Sequence, residues 1–418
     1  MLKKIFALIA LFTLTSFAPA NAEDYQLESV VVLSRHNIRS PIADENSVLG
    51  KMTPHRWFKW TSAKSELSMR GGELETIMGQ YFRKWLTSEN LITENYLPEA
   101  GEVRFYANSM QRTIATAQFF SSGLFPVANV KIEHKFAPSK MDDVFNPQLT
   151  FVNEKFSQIA TEQIRATFKR NNFEGNYPLL EKVMDFKKSE YAKSHGLTKL
   201  PTGDTEIILE PYKEPAISGS FKLAVMAADA LVLQYYEEQN PKQAAFGHKL
   251  SFNDWKKIAG FKETFTEALF ASPAVAVNVA HPLLQVMREE LSLKNRKFTF
   301  LCGHDSNIAS VLAALNAENF SLPQTPETKT PIGFKLVIEK WRSNDGRQYA
   351  ALKLIYASSE QLKNKTTLTL ENPPVIFPIR LNGLQQNADG LYKLEDLQQR
   401  FDDAINAYYE LYEENAAA

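Results

Sequence analysis

An α/β sheet domain carrying a large, mostly helical insertion is the fold class that the sequence predicts, on three observations. Short runs of β-branched and apolar residues lie towards both ends of the chain, at 29–33 and 103–107, then at 297–302, 333–339 and 351–356. The stretch between about 140 and 285 carries helical periodicity instead. No internal repeat or low-complexity tract interrupts this plan. Strands on either side of a helical middle are expected to share one sheet. The sheet domain is therefore expected to comprise 23–140 and 286–418, with 141–285 inserted.

Residues 1–22 fall outside that fold. Lys3 and Lys4 precede an apolar run over 5–17, and Ala20-Asn21-Ala22 supplies small residues at the positions a signal peptidase reads. Cleavage is expected after Ala22, giving an exported, periplasmic protein. The run is too short for a permanent membrane helix, an uncleaved anchor being the alternative. Glu23 rather than a cysteine follows, so no lipid anchor is indicated. Nothing later approaches the roughly 20 apolar residues of a membrane span. No membrane contact is expected once the signal is removed.

The first strand, 29–33, is continuous and β-branched, as suits burial on both faces. Leu74, Ile77, Met78, Tyr81, Phe82 and Trp85 then share one face of a helix over 73–86, with Gly71-Gly72 read as preceding it. The strand at 103–107 leads to a helix over 112–120. Inside the insertion, Phe221, Ala224, Val225, Ala228, Leu231 and Val232 mark an amphipathic helix, and breaks fall at Pro178, the loop 200–215 and Pro241. The strand at 297–302 is followed by a helix over 308–315. After two more strands the chain closes on a helix carrying Leu394, Leu397, Phe401, Ile405, Tyr408 and Tyr412.

Composition narrows the function. The 47 basic and 48 acidic side chains give a formal charge of −1, which becomes −3 once Lys3 and Lys4 are removed. Nucleic-acid binders carry a basic excess, so the charge gives no electrostatic reason to expect nucleic acid and no such partner is expected. A 44% hydrophobic content is that of a packed protein. The single Cys302 cannot form an internal disulfide and is read as a small buried residue.

Two distant segments share one design. A strand runs into Arg35-His36-Asn37-Ile38-Arg39-Ser40-Pro41, and another into Gly303-His304-Asp305-Ser306-Asn307. Residues just past the carboxyl ends of parallel strands line the crevice where ligands bind. If the two strands are neighbours, two histidines, two arginines and a carboxylate meet at one point. Guanidinium groups bind phosphate oxygens bidentately, and a neutral imidazole nitrogen is a competent nucleophile. Asp305 is the nearest acid for a leaving alkoxide. A lone His is ordinarily a satisfied core residue and a lone Arg a solvated one; the matched strand contexts favour the functional reading. Asn108-Ser109-Met110-Gln111-Arg112-Thr113 adds a third Arg at the first turn of a helix, a suitable place for an anion.

RHNIRSP resembles the R-H-G-x-R-x-P signature of the histidine acid phosphatases, GHDSN their His-Asp motif, and NSMQRTIATAQFF the segment holding their third phosphate-binding Arg. The resemblance implies a phosphoglycerate-mutase-like fold and two-step hydrolysis. It makes His36 the nucleophile, Arg35, Arg39 and Arg112 the phosphate clamp, His304 a further phosphate contact, and Asp305 the proton donor. Glu214, in YKEP, would border the substrate entrance and select for sugar hydroxyls. Asn37 and Ser306, with LPTGDTE, YKEPAISGSFKLA and KTPIG, resemble the periplasmic glucose-1-phosphatase branch rather than the phytases. Asn37 replaces the family's Gly. Asn tolerates positive φ better than most residues, so the turn is expected to survive while the side chain narrows the space beside the nucleophile. On that reasoning Asn37→Gly would raise activity on phytate.

Other chemistries lack support. The seven histidines contain no HExxH, Cys302 has no partner, and no P-loop or GxGxxG is present, so hydrolysis without a metal or other cofactor is expected. Asp142-Asp143 and Asp402-Asp403 read as solvated surface pairs. The substrate is expected to be a small phosphate monoester. The rival readings are a phytase of the same family, a mutase of the same fold, and a phosphosugar-binding protein without turnover. Asp305 must hold a proton while His36 must lose one, which predicts a bell-shaped pH profile on the acid side of neutrality.

Overall fold

The computed structural model describes residues 25–43 and 46–416, so the expected signal peptide lies outside the described residues. Strand β1 (Tyr25–Arg35) occupies the middle of an eight-stranded mixed sheet. Strands β2 (Val103–Ala107) and β3 (Ile132–Glu133) belong to its parallel half, while β4 (Glu206–Ile208) and β5 (Ala216–Ser218) form a separate hairpin. Strand β6 (Phe298–Gly303) inserts between β1 and β2, parallel to both. On the other side of β1 the chain doubles back as β7 (Lys335–Ser343) and β8 (Gln348–Tyr356), both antiparallel, with β9 (Val375–Pro378) and β10 (Tyr392–Lys393) pairing onto β8.

Every strand expected from the sequence lies in this sheet. The short pieces β3 to β5, β9 and β10 were not foreseen, because two to four residues give no measurable alternation. The segment 141–285 contributes no strand to the central sheet and is mostly helical, including Glu154–Asn171, Ser220–Glu237, Phe252–Phe270 and Pro273–Glu290.

Alternation along β1 divides the core. Val30 and Val32 pack with Phe105, Phe120, Phe298 and Phe300 on one face, while Val31 and Leu33 meet Leu283, Leu284, Met287 and Ile308 on the other. Each fully buried side chain of this size contributes about 1.5–3 kcal/mol. Buried residues of the helical segment, among them Phe156, Phe221, Trp255 and Phe261, join the first of these cores. Cys302 on β6 is fully buried, and burial holds its thiol well above the usual range, so it is inert packing.

Two local expectations need correcting. Gly71 and Gly72 lie inside the first turn of the Met69–Ser88 helix. A Cβ at Gly71 would meet the Ile38 carbonyl oxygen at 2.4 Å, so glycine there lets the helix approach the backbone after β1. Asp142 is fully buried rather than solvated, because it accepts from the Tyr106 hydroxyl at 2.6 Å and, at its other oxygen, from the Val144 N–H. Asp143 is exposed and pairs with Lys135.

Candidate active site

Strand register sets the site. Arg35 lies opposite Gly303, and Ala107 opposite Cys302, so β1, β6 and β2 end at one level. The next residues, His36, His304 and Asn108, therefore stand side by side. The His36 N–H donates to the Gly303 carbonyl (3.1 Å), and the Asn108 N–H to that of Cys302 (2.9 Å). The rings of His36 and His304 meet edge to face, 5.5 Å between centroids.

Hydrogen bonds fix both tautomers. His36 Nδ1 lies 2.8 Å from the Asn37 carbonyl oxygen. A carbonyl only accepts, so Nδ1 carries the hydrogen and Nε2 keeps its lone pair. Asn108 Oδ1 accepts from the Asp142 N–H (2.9 Å), which turns its amide nitrogen onto His304 Nε2 at 2.7 Å. In that arrangement His304 Nε2 accepts and its Nδ1–H is left as a donor. Burial, reinforced by Arg112, Arg39 and Arg35, holds both imidazoles well below their ordinary pKa, against the opposing pull of Asp305 on His304. His36 thus remains neutral, and nucleophilic, in acid.

The three arginines differ in how they are held. Arg35 donates to Glu327 Oε1 (2.9 Å) and to the Thr330 carbonyl. Arg39 donates to Asp229 Oδ2 at 3.1 Å and to the Ser40 carbonyl. Arg112, second residue of the Gln111–Leu124 helix, is buried, and its Nε, like those of Arg35 and Arg39, finds no acceptor among the described residues. Burial and the nearby Arg39 press its pKa down to about 10. A desolvated cation at a helix N-terminus, repelled by another cation, is relieved by a bound anion.

Asp305 opens the Asp305–Ala314 helix, where the free N–H groups favour a negative charge. Burial by itself would raise its pKa. Lys262 at 3.3 Å and Arg35 at 3.8 Å, with the two histidines, outweigh burial and hold it well below the usual carboxylate range. Asp305 is therefore ionised in the free protein, contrary to the expectation that it waits with a proton. Lys262, on the Phe252–Phe270 helix, is the reason, and no motif in the sequence pointed to it. The proton must arrive with the substrate: a phosphate monoester with second pKa about 6 enters acid solution as a monoanion. Turnover is accordingly expected to fall above about pH 6. Lys262→Met removes the nearest cation, so Asp305 keeps a proton to higher pH. Once Asp305 holds a proton of its own, the substrate need no longer bring it and the limb no longer follows the substrate's second ionisation alone. The alkaline limb of the kcat profile is therefore expected to move upward, and an unmoved limb in a pH titration of the variant would contradict this role for Lys262.

Asn37 does not do what the sequence suggested. It lies outside the residues with positive φ, and its side chain turns inward. Nδ2 donates to Glu75 Oε1 at 2.7 Å, and Oδ1 accepts from the Ile38 N–H at 2.8 Å. Glu75 is itself paired with Lys335 at 3.0 Å, both fully buried. Gly333, at φ +69°, is required here, since a Cβ would come within 2.6 Å of the Asn37 amide. The side chain therefore cannot narrow the space beside His36. Asn37→Gly is now expected to leave phytate turnover no higher. It should destabilise the protein by about 1–3 kcal/mol through the weakened Glu75 network, measurable by chemical denaturation.

Glu214 is solvent-exposed, yet its electrostatic neighbours are Lys262, Asp305 and Arg112. The surrounding protein raises its pKa by desolvation, against the pull of Lys262 and Arg112. It thus stands on the open side of the cluster. The structure brings together all seven residues singled out from the sequence. Sequence reading missed Lys262, Asp229 and Glu327, because each is a single polar residue on a separate element, outside any motif. Asn108 stood inside the quoted Arg112 segment but was given no role, since its contact with His304 is made only in space.

A family model described as the histidine phosphatase superfamily (branch 2) matches residues 26–197. A glucose-1-phosphatase of Providencia rettgeri is 36% identical over 398 residues, covering 94% of this chain and 95% of that protein. A glucose-1-phosphatase of Salmonella typhimurium is 35% identical over 93% of this chain and 94% of its own length. Among solved structures, the apo form of a Hafnia alvei phytase superposes with TM-score 0.83 at 25% identity, over 94% of this chain and 99% of the phytase. Kinship at this identity along nearly the whole sequence settles what the two His motifs suggested: the chain belongs to branch 2 of the histidine phosphatase superfamily.

Proposed function

We propose that the protein is an exported acid phosphomonoesterase that hydrolyses sugar phosphates, glucose-1-phosphate foremost, through a phosphohistidine on His36. The observation that carries this reading is an unprotonated His36 Nε2 beside three buried guanidinium groups, Arg35, Arg39 and Arg112, whose Nε atoms lack an acceptor among the described residues. The sheet residues of 23–140 and 286–418 supply the nucleophile, the clamp and Asp305. The helical insertion, 141–285, supplies Glu214, Asp229 and Lys262.

In the first step the Nε2 lone pair forms a bond to phosphorus as the bond to the alcohol oxygen breaks. The proton brought by the substrate monoanion passes through Asp305 to the leaving oxygen. In the second, Asp305 takes a proton from water, whose oxygen bonds to phosphorus, and the P–N bond returns its electrons to Nε2. Arg35, Arg39, Arg112 and the His304 Nδ1–H hold the phosphoryl oxygens, where charge must be stabilised throughout.

Glu214 supports a compact sugar phosphate. Its carboxylate can accept from sugar hydroxyls, whereas a second phosphate at the entrance would meet a negative charge. The two relatives named glucose-1-phosphatase, at 35% and 36% identity, point the same way. A phytase is the second reading, favoured by the close backbone match to the Hafnia alvei phytase.

The test is phosphate release by the purified mature protein at mildly acid pH, with chelator, from glucose-1-phosphate and phytate side by side. Preference for the sugar phosphate is expected, with repeated turnover. Preference for phytate would retain the mechanism and overturn the substrate. Release of neither would favour a phosphosugar-binding protein. Glu214→Gln is expected to shift the kcat/KM ratio towards phytate.

A further inference from the structure

We infer that His55, Asp185 and His248, all outside the catalytic motifs, form a binding site for one zinc-like divalent cation that ties three surface loops together. The three side chains come from segments that no linear motif connects. His55 lies in the loop before the Met69–Ser88 helix, Asp185 just past the Tyr177–Val183 helix, and His248 before the Phe252–Phe270 helix. One ligand atom from each lies within 4.8 Å of the other two. Asp185 Oδ2 is 2.8 Å from His55 Nε2 and 3.8 Å from His248 Nε2. Bonds of 2.0–2.2 Å at tetrahedral angles would set such atoms about 3.3 Å apart. The observed separations bracket that value, so small side-chain rotations complete the site.

The surroundings hold these ligands in place. His55 stacks on Phe246, 5.0 Å between centroids, and Trp57 meets the same ring edge-on. The buried Gln234 clamps both flanking loops, accepting from the Phe58 N–H at 2.8 Å and donating to the Ala244 carbonyl at 2.9 Å. Phe246 and Gly247 both adopt positive φ, which turns the chain so that His248 faces Asp185. Lys188 engages the other carboxylate oxygen, Oδ1, at 3.0 Å and leaves Oδ2 to the cation. Two imidazoles and one carboxylate suit zinc, cobalt, nickel or copper rather than magnesium or calcium, which prefer oxygen. A fourth position open to water completes a tetrahedron. The catalytic histidines sit among three guanidinium groups that repel a dication, so a single equivalent is expected.

The test begins with mature protein freed of metal by chelator and then dialysed. Titration with micromolar Zn2+ should show one equivalent bound per chain and a rise in Tm. Co2+ should give the intense visible bands of tetrahedral coordination. His55→Ala and His248→Ala should each lose this uptake while phosphatase turnover stays at the level of the unaltered enzyme. A second measurement needs no variant: Zn2+ should protect His55 and His248, but not the exposed His134 and His195, from carbethoxylation mapped by mass spectrometry. Failure of the folded protein to take up zinc stoichiometrically would overturn the site, as would uptake that survives in the double His variant or equal labelling with and without zinc.

Discussion

Replacing His36 by Ala is expected to abolish turnover, lowering kcat by about ten-thousandfold or more while the fold persists. The ring is held by one backbone contact, Nδ1–H to the Asn37 carbonyl, so its loss disturbs little besides the chemistry. The Asp305→Asn variant separates the two steps. With an alkyl substrate it should lose about a hundredfold to ten-thousandfold, because the leaving oxygen receives no proton. With p-nitrophenyl phosphate, whose leaving group needs none, the first step should run while the second lacks its base. Rapid quench should then find labelled phosphate on His36, acid-labile and close to one equivalent per chain. A burst without label on His36, or slow first-step kinetics with both substrates, would remove Asp305 from the proton path.

What could be read from the sequence, and what could not, follows the range of the interactions concerned. The strands ending at Arg35 and Gly303 were readable because each is a continuous apolar run followed at once by polar residues of distinctive type. Their pairing was only a condition of the sequence argument, and the Arg35–Gly303 register meets it, making neighbours of the two histidines. The direction of Asp305's protonation was not readable, since it depends on Lys262, which lies 43 positions away on a helix of the insertion. Asn37 was misread for a related reason. Its neighbour in sequence is the nucleophile, but its partners in space are Glu75 and Gly333. Asp142 failed in the same way, looking like half of an exposed pair while serving as an internal acceptor for Tyr106 and supporting Asn108 from its own N–H. The antiparallel half of the sheet was visible as strands but not as antiparallel, because the periodicity of a buried strand carries no sign of direction.

The largest loss of stability is expected from Lys335→Met. Lys335 on β7 and Glu75 on the Met69–Ser88 helix are fully buried, with Nζ donating to both carboxylate oxygens at 3.0 and 3.1 Å and to the Gly333 carbonyl at 2.9 Å. Removing the lysine leaves a buried carboxylate with the Asn37 amide as its remaining side-chain donor, at a cost of about 3–5 kcal/mol. Burial already pushes the Glu75 pKa upward against Lys335, so the variant should take up a proton at Glu75 on folding. Replacing both residues by Met should recover much of the stability, since two apolar side chains of similar length leave no charge unpaired. Activity should not recover with it. Asn37 supplies the carbonyl that orients His36, and its amide is anchored on Glu75. Without that carboxylate the nucleophile is free to drift, and a misplacement of an ångström lowers kcat by up to about a hundredfold. A double variant that regains stability in urea yet stays slow, with KM unchanged, identifies the pair as positioning the nucleophile. One that regains both shows the pair to be a structural ion bridge alone.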